Sequence, residues 1–84
     1  MFYTYILQSL KDKSFYIGYT SNLKKRVKDH NSGFSMATKH KRPYKLIYYE
    51  AFVDKNDAKD REVYLKSGWG RESIGKLLRN YLSQ

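Results

Sequence analysis

Two segments rich in Tyr, Thr, Ile and Phe, Phe2–Gln8 and Phe15–Tyr19, are separated by only the six residues Ser9–Ser14. Joining parallel strands takes a crossover of roughly a dozen residues or more, so these two must pair as an antiparallel hairpin. The connecting Lys11-Asp12-Lys13 is a polar turn. Everything downstream has to pack on that ribbon. With 84 residues and no Cys, it must do so without a disulfide or a Cys-based zinc site. A chain of this length is expected to form one domain, 1–84, with a thin core.

The rest of the chain alternates helix and strand signals. Thr20 or Ser21 is expected to cap a helix running to about Asn31, with Gly33 placed to stop it. Phe34–Arg42 reads as a flexible basic loop ended by Pro43, and Tyr44–Val53 as a third strand. Asp54 suits the N-cap of a second helix reaching about Ser67, and Gly68-Trp69-Gly70 should break the chain. A third helix is expected over Glu72–Leu82, where Ile74, Leu77, Leu78, Tyr81 and Leu82 recur at helical spacing. The order β-β-α-β-α-α defines an α+β domain: a three-stranded antiparallel sheet flanked by three helices.

Charge is distributed unevenly. The net charge is +9, from 17 Lys and Arg against 8 Asp and Glu. Up to Lys45 there are ten basic and two acidic side chains; beyond it there are seven and six. The excess lies in two clusters, Lys24, Lys25 and Lys28 with Arg26, and Lys39, Lys41 and Arg42 with His40. One-sided charge favours a face that binds polyanion phosphates over a merely solvated surface. Neither cluster sits in a strongly apolar amphipathic helix, and no apolar run spans a bilayer, so no membrane partner is expected. Met1–Leu10 does not read as a signal peptide, and the lack of Cys fits a cytoplasmic protein.

Polar residues interrupt two apolar stripes. Arg26 and His30 fall beside the inward face marked by Leu23 and Val27. Glu62 falls within a stripe formed by Ala58, Leu65 and Trp69. A carboxylate there needs an ion pair, to Arg26 or Lys66, or a metal. The tyrosines at 44, 48, 49 and 64 read as ordinary packing residues. Inward polar groups converging from two helices mark a site.

Tyr3-Thr4-Tyr5, Tyr16-Ile17-Gly18, Arg26, His30 and Arg61-Glu62 before Lys66 are together specific. In these the chain resembles the GIY-YIG nuclease superfamily, most closely its small stand-alone bacterial branch. Tyr3 and Thr4 replace the Gly and Ile of the first motif; the second is intact. The resemblance implies a metal-dependent endonuclease acting on DNA, with RNA left open, and with low sequence specificity or structure-directed cleavage. It implies that Tyr5 and Tyr16 meet near the scissile phosphate, with Tyr5 the favoured base. It implies that Arg26 stabilises the phosphoryl charge and that His30 either assists proton transfer or holds a phosphate. Glu62 would hold one divalent ion, Mg or Mn. A tyrosine of ordinary pKa, ~10, needs nearby positive charge to lower it before it can serve as a base at neutral pH, and Arg26, the metal and the basic surface are expected to supply that charge. Asn80 is the one C-terminal Asn available to complete such a site, but its helical angle points away from the apolar stripe. The alternatives are a non-catalytic nucleic-acid-binding module and a protein adaptor using Trp69 and the third helix. The expected geometry is one concave, solvent-open cleft holding Tyr5, Tyr16, Arg26, His30 and Glu62.

Overall fold

The computed structural model describes all 84 residues. Strands β1 (Phe2–Ser9) and β2 (Phe15–Thr20) form the hairpin, and β3 (Tyr44–Phe52) pairs antiparallel on the other side of β1. The sheet order is β2-β1-β3, so the first strand is central. Helix α1 (Leu23–Ser32) follows the hairpin, and a one-turn 3-10 helix at Lys39–Lys41 leads into β3. Helices α2 (Lys55–Lys66), α3 (Gly68–Leu77) and the short α4 (Arg79–Leu82) complete the chain. No helix is long and apolar enough to cross a membrane.

Both faces of β1 are covered, and Thr4 to Ser9 are all buried. Strand alternation sends Ile6 to one face, where it packs with Ile17, Leu65 of α2 and Ile74 of α3. Tyr5 and Leu7 go to the other, with Tyr44, Tyr16 and the α1 residues Leu23 and Val27. The thin core is therefore two small clusters divided by the sheet. On the first face Thr4 Oγ1 donates to the Ala58 carbonyl at 2.6 Å, tying β1 to α2.

Several boundaries differ from the sequence expectation. The cap of α1 is Asn22, whose side chain accepts from Lys25 N–H. Thr20 instead closes a turn on Asn22, its hydroxyl accepting from the Asn22 N–H at 3.1 Å. Gly33 ends α1 as expected, at φ 89°. Gly68-Trp69-Gly70 does not break the chain but forms the first turn of α3, because Ser67 caps it by accepting from Gly70 N–H at 3.1 Å. The expected third helix is divided at Leu78, whose backbone (φ −111°, ψ 24°) leaves the helical region. Tyr44 is buried and Tyr48 packs on the core, but Tyr49 on the edge strand and Tyr64 on the outer side of α2 are exposed.

Candidate active site

The hairpin sets the first two residues. Tyr5 on β1 stands directly across from Gly18 on β2. A Cβ on Gly18 would overlap the Tyr5 hydroxyl and Cζ. The missing side chain is what allows the Tyr5 ring to lie across the edge strand. That is the physical meaning of the glycine in Tyr16-Ile17-Gly18. Tyr16, opposite Leu7, stands on the same face, with its ring centroid 6.5 Å from that of Tyr5.

Helix α1 supplies the next two. His30 is completely buried, and Tyr5 is 1% exposed. The Tyr5 hydroxyl and His30 Nε2 share a hydrogen bond of 2.8 Å, and His30 Nδ1 and Thr38 Oγ1 share one of 2.7 Å. Tyr16 stacks at a tilt on the imidazole, 4.8 Å between centroids. The result is a buried chain, Tyr5–His30–Thr38, walled by Tyr16 and Tyr44. Arg26, one turn earlier and half-buried, lies close enough to act on both Tyr5 and His30 electrostatically.

Burial dominates the protonation of this chain. Desolvation pushes the Tyr5 hydroxyl up to about 12, reinforced by Tyr16 and Glu62 and opposed by Arg26. This corrects the expectation that positive charge would lower it: the loss of water outweighs the nearby guanidinium. Desolvation, then Arg26, pulls His30 down to about 4, with Asp29 opposing. At neutral pH both groups are uncharged.

That has a consequence for stability. The folded pKa of His30 lies below its unfolded value of ~6.5, so its contribution is fully present above that pH. It is lost as pH falls from there toward about 4. The expected loss is on the order of 2 kcal/mol, reduced from the full shift because Tyr16 and Arg26 leave the network near solvent. Denaturant midpoints at pH 7 and pH 4, for wild type and His30→Gln, test it: the pH-dependent difference should shrink in the variant.

Glu62 is placed by α2, which lies against both β1 and the edge strand β2. Its carboxylate is the weakest of the influences on the Tyr5 hydroxyl, behind Tyr16 and Arg26. Its ion-pair partner is Lys66, Nζ to Oε2 2.9 Å, rather than Arg26. The stripe inferred around it is broken. Ala58 and Leu65 are buried, but Trp69 is 78% exposed, because α2 ends before it and helical angles do not carry through Ser67. No group of three or more His, Asp or Glu gathers as a ready-made metal cage.

The five residues do not line one open cleft. The largest cavity, about 600 Å³, lies between the first turn of α1 and strands β1 and β3, lined by Tyr3, Leu23, Lys24, Val27, Leu46 and Tyr49 among others. None of the five lines it; Tyr5 and His30 are buried, and Tyr16, Arg26 and Glu62 are partly exposed. Asn80 is exposed on α4. Sequence reasoning missed Thr38, which sits eight residues past His30 in a loop without periodicity. The role of Gly18 was hidden although its motif was in view.

The expected basic residues Lys24, Lys25, Lys28, Lys39, Lys41 and Arg42 are all exposed, and α1 touches the 3-10 turn that carries the second cluster. Lys25 pairs with Asp29 at 3.0 Å and Lys41 with Asp12 at 3.5 Å; Lys24, Lys28 and Lys39 form no ion pair. If this face binds a duplex, affinity falls with salt at a log–log slope of about −0.9 per phosphate neutralised. Replacing Lys39, Lys41 and Arg42 by Ala should flatten that slope; an unchanged slope would make the loop a solvated surface only.

A hairpin with paired tyrosines, an inward Arg and His on the following helix, and a Glu on the next are the elements in which the sequence resembles that nuclease family. The GIY-YIG catalytic domain profile matches residues 1–72, and the chain belongs to that family. Within it, the chain is similar to the UPF0213 protein CPE1444 of Clostridium perfringens, 48% identical over 67 residues, covering 79% of this chain and 71% of the relative. It is also similar to UPF0213 protein YsiG of Lactococcus lactis, 42% identical over 82 residues, covering 96% and 78%. The solution NMR structure of the UPF0213 protein BH0048 from Bacillus halodurans is similar in fold, with a TM-score of 0.56 and 36% identity. That likeness covers 92% of this chain and 85% of the other.

Proposed function

We propose that this protein is a metal-dependent endonuclease that hydrolyses DNA phosphodiester bonds, with low sequence specificity or structure-directed cleavage. The observation that carries the reading is the buried Tyr5–His30–Thr38 chain beside Arg26. Hydrolysis needs a base for the attacking water and compensation for phosphoryl charge. With a pKa near 12, Tyr5 is a poor stored phenolate. It is a good relay. As its oxygen takes the water's proton, its own proton passes to Nε2 of neutral His30, and Thr38 accepts from the protonated Nδ1. Arg26 offers a planar fork to the phosphoryl oxygens. When a phosphodiester neutralises Arg26, one of the causes depressing His30 is removed. Substrate therefore strengthens its own base.

The donor set fits a hard cation held loosely. Glu62 is one half-buried carboxylate, and its Lys66 partner is a half-exposed, movable side chain. Magnesium is commonly held by one or two carboxylates plus substrate phosphate, keeping several waters. Bound at Glu62, such an ion would supply charge for the leaving oxygen.

The Lys66 tie on Glu62 and the sealed Tyr5 favour a second reading, a nucleic-acid-binding module without catalysis. Supercoiled plasmid incubated with Mg²⁺ or Mn²⁺, against the same mixture with EDTA, separates the two. Nicking abolished by EDTA is expected; binding without nicking under every condition would leave only the module.

A further inference from the structure

The segment between α1 and the 3-10 turn is folded inside out. Phe34 and Met36 are 80% and 81% exposed, while Ser35 and Thr38 between and beside them are buried. A solvated loop would do the reverse, since exposing large apolar side chains to water is unfavourable. The segment is also fixed. Phe34 N–H donates to Asp29 O at 3.1 Å, Thr38 N–H to Ser35 O at 3.2 Å, and Lys41 N–H to Thr38 O at 3.1 Å. Thr38 is in turn the partner of His30. The two apolar side chains thus ride on a backbone anchored directly to the proposed proton relay.

What surrounds them identifies the partner. Lys39, His40, Lys41 and Arg42 follow at once and are exposed. An apolar protein partner would have to desolvate those cations, whereas a nucleic acid uses both features together. Phosphates take the cations, and apolar side chains such as Phe and Met wedge between base steps and unstack them. Unstacking costs least where the stack is already interrupted.

Resting on the nuclease reading above, we infer that Phe34 and Met36 form a fixed apolar wedge that enters DNA at an interrupted base stack. The wedge places the adjoining phosphate at the partly exposed Arg26, beside the buried Tyr5–His30–Thr38 chain. The substrate class is then DNA with a gap, flap or branch, in preference to continuous duplex.

The test uses the full chain, EDTA to prevent cleavage, and a gapped duplex carrying at the gap a fluorescent adenine analogue quenched by stacking. Binding is followed by anisotropy and unstacking by emission. The wild type should bind and raise emission at saturation. Phe34→Ser/Met36→Ser should keep the wild-type melting temperature, since both residues are exposed, and still bind through its cations, but lose the rise. Wild-type binding with no rise, or an equal rise in the variant, overturns the wedge and leaves the nuclease reading standing. Failure to bind DNA at low salt overturns both. Capture of the wild type by anionic phospholipid vesicles but not by DNA, lost in the double variant, would assign the same residues to a membrane surface and overturn the proposal.

Discussion

Glu62→Gln should reduce metal-dependent nicking on the order of a thousandfold or more, because the lost charge stabilisation raises the barrier by several kcal/mol. Stability should hardly move. Glu62 and Lys66 form an i, i+4 pair with the lysine half exposed, and such pairs contribute about 0.3–0.5 kcal/mol. Had the partner been a buried Arg26, losing the charge would have cost about 3 kcal/mol; the Lys66 pairing removes that expectation. Gln keeps the shape, so the fold and the basic face stay intact and DNA affinity should be preserved. Lys66→Ala is the informative companion. It frees the same carboxylate without removing it, and should leave nicking at or above the wild-type rate. Melting temperature, DNA affinity and nicking rate, measured on all three proteins, decide the matter. Wild-type nicking by Glu62→Gln in saturating Mg²⁺ would remove Glu62 from the reaction.

The features legible in the sequence were those with local causes. The hairpin followed from connection length, the end of α1 from Gly33, and the start of α2 from Asp54, whose side chain accepts from Asn56 N–H. Helical angle put His30 on the sheet-facing side, where it is fully buried, and Arg26 beside it, half-buried. What failed depended on a competing local bond or on distance. Ser67 rescues a glycine-rich segment as a helix start, and the break at Leu78 divides an unbroken apolar period so that Ile74 is buried while Leu77 is 47% exposed. Ser35 and Thr38 carry no hydrophobic period at all, so only the fold brings Thr38 to His30. The direction of the Tyr5 shift was also out of reach. Charge is countable in a sequence, but the desolvation that overrides it appears only once β1 is buried on both faces.

The pH dependence of nicking distinguishes the relay from a stored phenolate, and Tyr5→Phe shows whether either operates. If the Tyr5 phenolate were the base, its fraction would rise tenfold per pH unit toward its pKa of about 12. Nicking would then climb steadily from pH 6 to about pH 9, a thousandfold span. If the proton ends on His30, the rate instead levels off once the imidazole is neutral. In the free protein that point lies near pH 4. At saturating DNA it should lie higher, because the phosphate screens Arg26, and nicking should be flat above roughly pH 7. Tyr5→Phe retains the ring that lies across Gly18 but removes the hydroxyl, so water can no longer hand its proton inward. A loss of about a hundredfold to ten-thousandfold is expected, the usual contribution of a positioned acid–base group. The change also leaves His30 Nε2 without its partner, at a cost of about 1–3 kcal/mol. Rates must therefore be taken well below the variant's melting temperature. His30→Gln provides the crossing measurement. It removes the proton acceptor but leaves the Tyr5 hydroxyl, so under the relay it should lose activity to a similar extent, and combining it with Tyr5→Phe should add little. A steady rise in wild-type rate with pH, together with near-wild-type nicking by His30→Gln, would make Tyr5 the base by itself and reduce His30 to a packing residue.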